Sequence, residues 1–385
     1  MKIALVSADY PPTAGGVADY TCHLGHALAD LGHSIQVLTS RRTRGAAGAP
    51  QRPTAVDVAP TLADWGMRSI VSAARQLGDT APDVVGLQYV PAMYGRGGVA
   101  PAIALLPLAL RRVTRARIVG VMHELALGWS LHPRRAVQAA AHRAQLGLLA
   151  WGCHRLVVTN QRYADLLRAW THHRLAPRVV PVGANIVPSA SSPHERAAMR
   201  RALGAGEEPL LGSLSPLGIG ERPERLVALL RDLPSTHLAL LGGLPTDARR
   251  QTTVLGLARR LGVADRIKLT GYIAPRDASC ALAALDVYVH TRDVGASTRS
   301  TALVAALAHG LPIVAYRGPE TAEIFVNGEN IMLAPDDNPG ALAERVRLVL
   351  ASPALRARLS DGARRLYLRH FTWEAIARQF LEVAA

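Results

Sequence analysis

Short apolar runs and longer amphipathic runs alternate along the first half of the chain. KIALVSADY, SIQVLTS, DVVGLQYV, ARIVGVMHE, HRLVVTN and RVVPVGAN are nearly continuous apolar runs, which are typical of buried strands. Val17–Leu31 carries the spacing of an amphipathic helix and ends before Gly32, and PAIALLPLALRRV is also predicted to be helical. Buried strands separated by helices predict a parallel sheet with helices on both faces.

The pattern breaks after Ile186 and then begins again. VPSASSPHERAAMRRALGAGEEP is polar and rich in hydroxyls, whereas strand-like and helix-like runs alternate once more from PLLGSLSPLG onward. The helical FTWEAIARQFLEVAA at the C-terminus has no strand after it. We therefore predict two α/β domains, residues 1–188 and 189–368, followed by a helical segment, residues 369–385.

Composition narrows the class of protein. With 385 residues, of which 49% are apolar, the chain is long enough for two cores and too apolar for wholesale disorder. Cys22, Cys153 and Cys280 are far apart and lack the spacing of metal ligands, so a reducing cytosol is the expected location. The apolar window Val99–Leu110 is shorter than the roughly 20 residues of a membrane-spanning helix, and the N-terminus does not resemble a signal peptide.

The formal net charge is +15 and comes almost entirely from arginine, since lysine occurs only at Lys2 and Lys268. Several arginines follow the apolar window directly, between Arg111 and Arg117. They are either solvated helix faces or part of a basic, apolar face through which the N-terminal domain contacts an anionic membrane. A nucleic-acid partner is not expected, because aromatic residues make up only 4% and no recognition motif accompanies the charge.

Open parallel sheets bind ligands at the carboxyl ends of their strands, so residues near those ends are candidates for a site. Gly15 and Gly16 precede the first helix and would let backbone amides approach an anion. His123 follows ARIVGVM and is either a group that orients a sugar hydroxyl or phosphate, or a structural histidine. Ser213 and Ser215 lie at the first strand end of the second half. The nucleotide motifs G-x-G-x-x-G and G-K-[ST] are absent, as is a D-x-D cluster, so no metal ion is expected.

The densest polar stretch is DVGASTRS, Asp293–Ser300, which precedes a short apolar helix that ends before Gly310. Arg299, several hydroxyls and the free amides of a helix start are suited to a diphosphate. An ordinary N-cap by Ser297 or Thr298 is the alternative, although one cap needs only one hydroxyl. We predict a diphosphate site with Arg299 as its main cation.

Over essentially its whole length, the chain resembles family 4 glycosyltransferases of the GT-B fold. The resemblance lies in SADYPPTAGGVADY, MHE, VVTN, VVPVGANI, LTGYI, AALAHGLPIV and AEIFVNGENIMLAP, in this order. It implies an α/β fold of two facing Rossmann-like domains with parallel sheets, an acceptor held by the first and a nucleotide sugar held by the second. It also implies sugar transfer with retention, and a C-terminal helix that crosses back to the N-terminal domain.

The chain departs from this family in the donor site. The resemblance places the family's two donor-site glutamates at Ser297 and Ala305, and its diphosphate-binding arginine and lysine at Ser213 and near 217–218. The departures indicate either a rewired, active site or decay into a non-catalytic binding protein. We favour rewiring, because DVGASTRS, LQYVPAMYG and PVGANI resemble a divergent branch of the family.

The predicted function is therefore transfer of a sugar from a nucleotide-diphosphate donor to an acceptor, which is a glycan, a lipid-linked molecule or a small molecule. An NADP oxidoreductase that uses Arg41 and Arg42 is a third hypothesis, but it lacks the glycine motif. No cofactor is expected beyond the donor substrate. The candidate catalytic residues are His123 and Arg299, and the candidate donor-binding residues are Gly15, Gly16, Ser213, Ser215, Gly295, Ser297, Thr298, Ser300 and Glu323.

Overall fold

The protein is described by a computed structural model that covers residues 1–13, 15–41, 56–125, 128, 132–215, 217–218, 220–243, 248–335 and 338–385. The chain forms two compact units: unit 1 is Met1–Pro181 together with Trp373–Ala385, and unit 2 is Val182–Thr372. Arg42, on which the oxidoreductase hypothesis partly depends, lies outside the described residues.

Unit 1 contains a parallel sheet that has seven strands within the described residues. Its elements before Pro181 are β1 (Lys2–Val6), α1 (Gly16–Asp30), β2 (Ser34–Ser40), β3 (Val56–Leu62), α2 (Met67–Thr80), β4 (Val84–Tyr89), α3 (Pro91–Tyr94), α4 (Pro101–Val113), β5 (Arg117–Met122), α5 (Pro133–Gly152), β6 (Arg155–Val158), α6 (Gln161–Trp170) and β7 (Arg178–Val179). The strand order is β3-β2-β1-β4-β5-β6-β7, and every pairing is parallel.

Unit 2 repeats this architecture with a six-stranded sheet in its described part. Its elements are α7 (Pro193–Ala202), β8 (Leu210–Leu214), α8 (Pro223–Asp232), β9 (His237–Leu241), α9 (Ala248–Arg260), β10 (Ile267–Leu269), α10 (Pro275–Ala283), β11 (Val287–His290), α11 (Thr301–Ala308), β12 (Ile313–Arg317), β13 (Met332–Pro335), α12 (Pro339–Ala351) and α13 (Pro353–His370). The order is β10-β9-β8-β11-β12-β13, again with parallel pairing. The predicted α/β fold with parallel sheets is confirmed.

The edge strand β3 is an element that the apolar pattern did not predict. Its sequence, VDVAPTL, contains Pro60 and alternates buried with exposed positions irregularly. A proline removes a backbone donor, which an edge strand tolerates because one side of it is unpaired. The position of β3 next to β2 at the end of the sheet is consistent with this rule.

The apolar window before the arginine cluster forms α4 and packs into the core of unit 1. Its buried side chains are Ala102, Ile103, Ala104, Leu106, Pro107 and Leu110. Of the large apolar residues between 99 and 117, Val99 and Val113 are exposed, so α4 offers little apolar surface to a membrane. Arg111 and Arg112 in the last turn of α4, together with Arg115 after it, line a surface cavity of about 570 Å³. Within the described part of the chain, no helix has the length and apolarity that crossing a bilayer requires.

The C-terminal helix α14 (Trp373–Ala384) belongs to unit 1, where it packs against α1, β5 and β6. Phe380 on this helix is completely buried. Its ring carbon Cζ lies 3.1 Å from the point where a Cβ on Gly86 of β4 would be. A glycine in β4 therefore makes room for the ring.

Replacing this ring tests how far α14 stabilises unit 1. Phe380→Ala should lower the free energy of unfolding of unit 1 by about 3–5 kcal/mol, because the fold cannot fully close the cavity that remains. No tryptophan occurs between residues 182 and 372 of the sequence, the range of unit 2, so urea unfolding followed by tryptophan fluorescence reports on unit 1. The exposed Glu382 provides the control, since Glu382→Ala should change stability by less than about 0.5 kcal/mol. Similar small changes in both variants would contradict this role of α14.

Candidate active site

Each sheet has a point at which its strand order reverses. In unit 1 this point lies between β1 and β4, and in unit 2 it lies between β8 and β11. The connections from such neighbouring strands lead away in opposite directions, which leaves a crevice at their carboxyl ends where open α/β sheets bind ligands. The candidate residues of each unit lie within or follow one of these strands or a strand beside them.

In unit 2, the segment Asp293–Ser300, named here the hydroxyl turn, joins the end of β11 to the start of α11. Its two serines, Ser297 and Ser300, are 0% and 2% exposed. Gly295 has a φ of +79°, and a Cβ at this position would lie 2.4 Å from the backbone nitrogen of Gly318. The hydroxyl turn is thus held backbone to backbone against the segment after β12, in a conformation that requires glycine.

A buried carboxylate that the sequence pattern did not indicate binds the hydroxyl turn. Ser297 Oγ donates a hydrogen bond to Glu320 Oε2 at 3.0 Å, and Arg299 Nε donates to the same oxygen at 2.7 Å. The side chains of Arg299 and Glu320 are only 18% and 4% exposed, so this ion pair is largely removed from water. Glu320 follows β12 by three residues, so a search of every strand end would have found it. The predicted Glu323 is exposed and, among the described residues, makes no hydrogen bond or ion pair with the turn.

Ser300 is the N-cap of α11, because its Oγ accepts a hydrogen bond from the backbone N–H of Leu303 at 3.3 Å. The alternative in which Ser297 or Thr298 caps this helix is therefore wrong. Ser297 bonds to the Glu320 carboxylate, and the carbonyl of Thr298 accepts from the backbone of Val182 at 3.0 Å. Behind the cap, α11 is buried from residue 302 to residue 308, which includes Ala305.

An arginine of helix α9 fixes the loop that follows β8. Arg250 Nη1 donates to the carbonyls of Leu217 and Gly218 at 2.7 and 2.6 Å. Ser215 on this loop is exposed and has a φ of +54°, a left-handed conformation that is rare for a residue other than glycine. Such strain is often found where a backbone meets a ligand. Ser213, in contrast, is 1% exposed and lies within β8.

Two more arginines lie near this loop and are paired with acids. Arg292 Nε is 3.5 Å from Glu221 Oε1, and Arg222 forms an ion pair with Asp293. Burial raises the pKa of Glu221 to about 7, and the charge of Arg292 opposes this rise. Arginines from α9 and from the segments that follow β8 and β11 therefore lie around this loop.

In unit 1, the predicted His123 lies at the carboxyl end of β5 and is 9% exposed. Its Nε2 is 2.8 Å from Gln88 Oε1, and its ring meets the ring of Tyr20 edge to face, with 4.6 Å between centroids. Burial lowers the pKa of His123 to about 4, so its imidazole is neutral near pH 7.

Gly15 and Gly16 lie at the start of α1 and are both exposed. A Cβ on either residue would meet nothing within 4 Å. Packing within the chain therefore does not demand glycine here, and close approach of an anionic ligand stays a prediction.

Comparison with known sequences relates most of unit 2 to glycosyltransferases. Residues 195–366 match the family described as Glycosyl transferases group 1. The chain is 28% identical, over 298 residues, to the GDP-mannose-dependent alpha-(1-6)-phosphatidylinositol monomannoside mannosyltransferase of Mycolicibacterium smegmatis, a match that covers 74% of each protein. It is 24% identical, over 391 residues, to the protein of the same name from Mycobacterium tuberculosis, with 92% of each covered.

Solved structures share the fold over nearly the whole chain. Sucrose-phosphate synthase from Thermosynechococcus elongatus has a TM-score of 0.76 at 20% identity and covers 99% of this chain and 97% of its own. Anabaena HepE in complex with UDP has a TM-score of 0.75 at 19% identity, with 99% of both chains covered. These likenesses show the GT-B fold, and residues 195–366 match the group 1 glycosyltransferases, so the predicted resemblance to family 4 glycosyltransferases is confirmed.

Proposed function

We propose that the chain transfers a sugar from a nucleotide-diphosphate donor to a hydroxyl of an acceptor, and that unit 2 binds the donor diphosphate at the hydroxyl turn. The observation that carries this proposal is the buried contact between Arg299 and Glu320 at the start of α11. The carboxylate holds a guanidinium beside the positive end of the helix dipole. The guanidinium and the positive end of the helix dipole both favour binding of an anion at the start of α11.

The geometry of arginine makes its pairing with Glu320 compatible with a second anion. A guanidinium carries five N–H donors in a planar fork, and the contact with Glu320 Oε2 is made by Nε. Through this fork, arginine can donate two parallel hydrogen bonds to the oxygens of a phosphate, whereas lysine acts as a point charge. The carboxylate thus orients Arg299 for the donor rather than replacing the donor.

The same contact supports rewiring over decay of the site. Glu320 Oε2 lies 3.0 Å from Ser297 Oγ, so a carboxylate from another segment reaches the residue where the family carries its first glutamate. Breaking a buried ion pair by removing one partner typically costs about 3–5 kcal/mol. What favours rewiring is the position of this carboxylate, which contacts the residue where the resemblance places the first glutamate.

The proposed reaction retains the configuration of the sugar. The bond between the anomeric carbon and the phosphate oxygen breaks, the acceptor oxygen bonds to that carbon on the same face, and the acceptor proton passes to the departing phosphate. Arg299 and the α11 dipole stabilise the charge on the leaving group, while neutral His123 positions the sugar through a hydrogen bond. This scheme needs neither a protein nucleophile nor a metal ion.

The relatives suggest which substrates to test first. The Mycolicibacterium smegmatis protein is named for GDP-mannose and for a phosphatidylinositol mannoside acceptor. GDP-mannose is therefore the first donor, and a lipid-linked or glycan hydroxyl is the first acceptor class. The exposed arginines at the end of α4 would favour contact of unit 1 with anionic headgroups.

Removing the guanidinium of Arg299 tests the donor site. Arg299→Ala should lower kcat or raise the donor KM about 10²-fold, the scale of a lost charged hydrogen bond of roughly 1.5–3 kcal/mol. The measurement pairs turnover with a thermal-shift panel of UDP, GDP, ADP, TDP and CDP, in which one diphosphate should stabilise the wild type and not the variant. Arg365→Ala, on an exposed position of α13, should behave like the wild type.

One outcome of the turnover measurement and one outcome of the thermal-shift panel would contradict the proposal in different ways. Near-normal turnover of Arg299→Ala would remove Arg299 from the donor site. A folded wild type that responds to none of the five diphosphates would favour the alternative, a catalytically inactive GT-B-like binding protein.

The ion pair itself is tested by a double-mutant cycle. Glu320→Gln should destabilise unit 2 by about 3–5 kcal/mol, because it leaves the charge of Arg299 buried without its carboxylate. In the Arg299→Ala background the same change should cost about 1–3 kcal/mol less. Urea unfolding followed by circular dichroism measures both, with Glu374→Gln as control, since the Arg378–Glu374 pair is exposed and worth about 0.3–0.5 kcal/mol. Additive effects of the Arg299 and Glu320 changes would show that the two side chains do not stabilise each other.

A further inference from the structure

Gln88 is a buried amide in an otherwise apolar strand of unit 1. The sequence of β4 is VVGLQY, and all six of its residues are buried, with Gln88 0% exposed. Burying an amide costs free energy unless the amide is hydrogen-bonded. The partner of Gln88 is His123 on the neighbouring strand end, at 2.8 Å from its Oε1.

We propose that Gln88 is a positioning residue that fixes the tautomer of His123. Its Oε1 accepts a hydrogen bond from His123 Nε2–H, which keeps the imidazole proton on Nε2 and the lone pair on Nδ1. His123 then acts toward the sugar as an acceptor, and the hydroxyl that it meets is the donor of that hydrogen bond. The proposal deepens the proposed function and rests on its assignment of His123 to the sugar.

Contacts of the His123 backbone and of the Tyr20 ring hold the imidazole in one orientation. The backbone N–H of His123 donates to the carbonyl of Tyr89 at 3.0 Å, next to Gln88 along β4. The ring of Tyr20, on α1, meets the imidazole edge to face at 4.6 Å and meets the ring of Trp373, on α14, at 5.4 Å. Elements from both ends of the chain therefore support the ring that Gln88 orients.

The surroundings of His123 favour the neutral ring, in which a tautomer is defined. Gln88 on β4 carries no charge, and burial raises the pKa of Tyr20 on α1, so this phenol is also neutral near pH 7. Glu124, the next residue in the chain, is exposed. Burial accordingly lowers the pKa of His123 to about 4.

The two side chains that contact His123 each carry a buried polar atom without a partner. Within the described part of the chain, Gln88 Nε2 and the hydroxyl of Tyr20 have no hydrogen-bond partner. Buried donors without partners are costly, and a molecule with several hydroxyls would supply acceptors for them. A sugar, whose hydroxyls both donate and accept, is the ligand that suits these donors and the lone pair of His123.

The test is a nitrogen-15 NMR measurement of the histidine tautomers at pH 7, with the His123 signals assigned from their loss in His123→Gln. The wild type should show the Nε2–H tautomer, and Gln88→Leu should show a mixture of both tautomers. Gln88→Glu keeps an acceptor at this position and should retain the Nε2–H tautomer. Its carboxylate should also raise the pKa of His123 from about 4, because a nearby negative charge favours the imidazolium.

Kinetic measurements distinguish a positioning role of Gln88 from a purely structural one. Gln88→Leu should lower kcat about tenfold, the scale of one weakened hydrogen bond, with a smaller change in the donor KM. Gln36→Leu, which removes a half-buried glutamine of β2, is the matched control and should leave the tautomer of His123 unchanged. An Nδ1–H tautomer in the wild type, or an unaltered Nε2–H tautomer in Gln88→Leu, would overturn the proposal. The tautomer is measured without substrate, so an absence of sugar transfer would count against the proposed function and leave this result standing.

Discussion

The buried ion pair between Arg299 and Glu320 is the interaction on which the candidate donor site depends. A guanidinium and a carboxylate that are 18% and 4% exposed must stay together, because either charge alone would be strongly disfavoured away from water. Glu320 comes from the segment after β12 and Arg299 from the turn before α11, so the pair ties two strand ends together. The close backbone approach at Gly295 makes this connection sterically possible.

This arrangement gives a physical reason for the sequence of the candidate donor site. The resemblance places the family's two carboxylates within one run, at Ser297 and Ala305 of this chain. Glu320 returns a carboxylate to Ser297 from a different segment, and arginines from α9 and from the end of β11 lie around the loop after β8. The charged side chains near the candidate donor site thus come from several elements of unit 2. In unit 1, in contrast, burial keeps both His123 and Tyr20 uncharged near pH 7.

The sequence predicted those features that depend on local pattern. Continuous apolar runs indicated the strands, and the family resemblance is confirmed by the group 1 match and by the fold. The hydroxyl turn was found because its polar residues are contiguous. Glu320 and Gln88 were missed because their partners are 21 and 35 residues away along the chain, and no local pattern records such pairing. The alternative of an ordinary N-cap named Ser297 or Thr298 instead of Ser300, since only the backbone conformation shows at which residue α11 begins.

The measurement that tests the central claim most directly is a crystal structure of the chain with the nucleoside diphosphate that stabilises it best. The account predicts phosphate oxygens within about 3 Å of the Arg299 guanidinium and of backbone amides at the start of α11, with the contact between Arg299 and Glu320 intact. A diphosphate bound elsewhere in the chain, with the hydroxyl turn unoccupied, would contradict it.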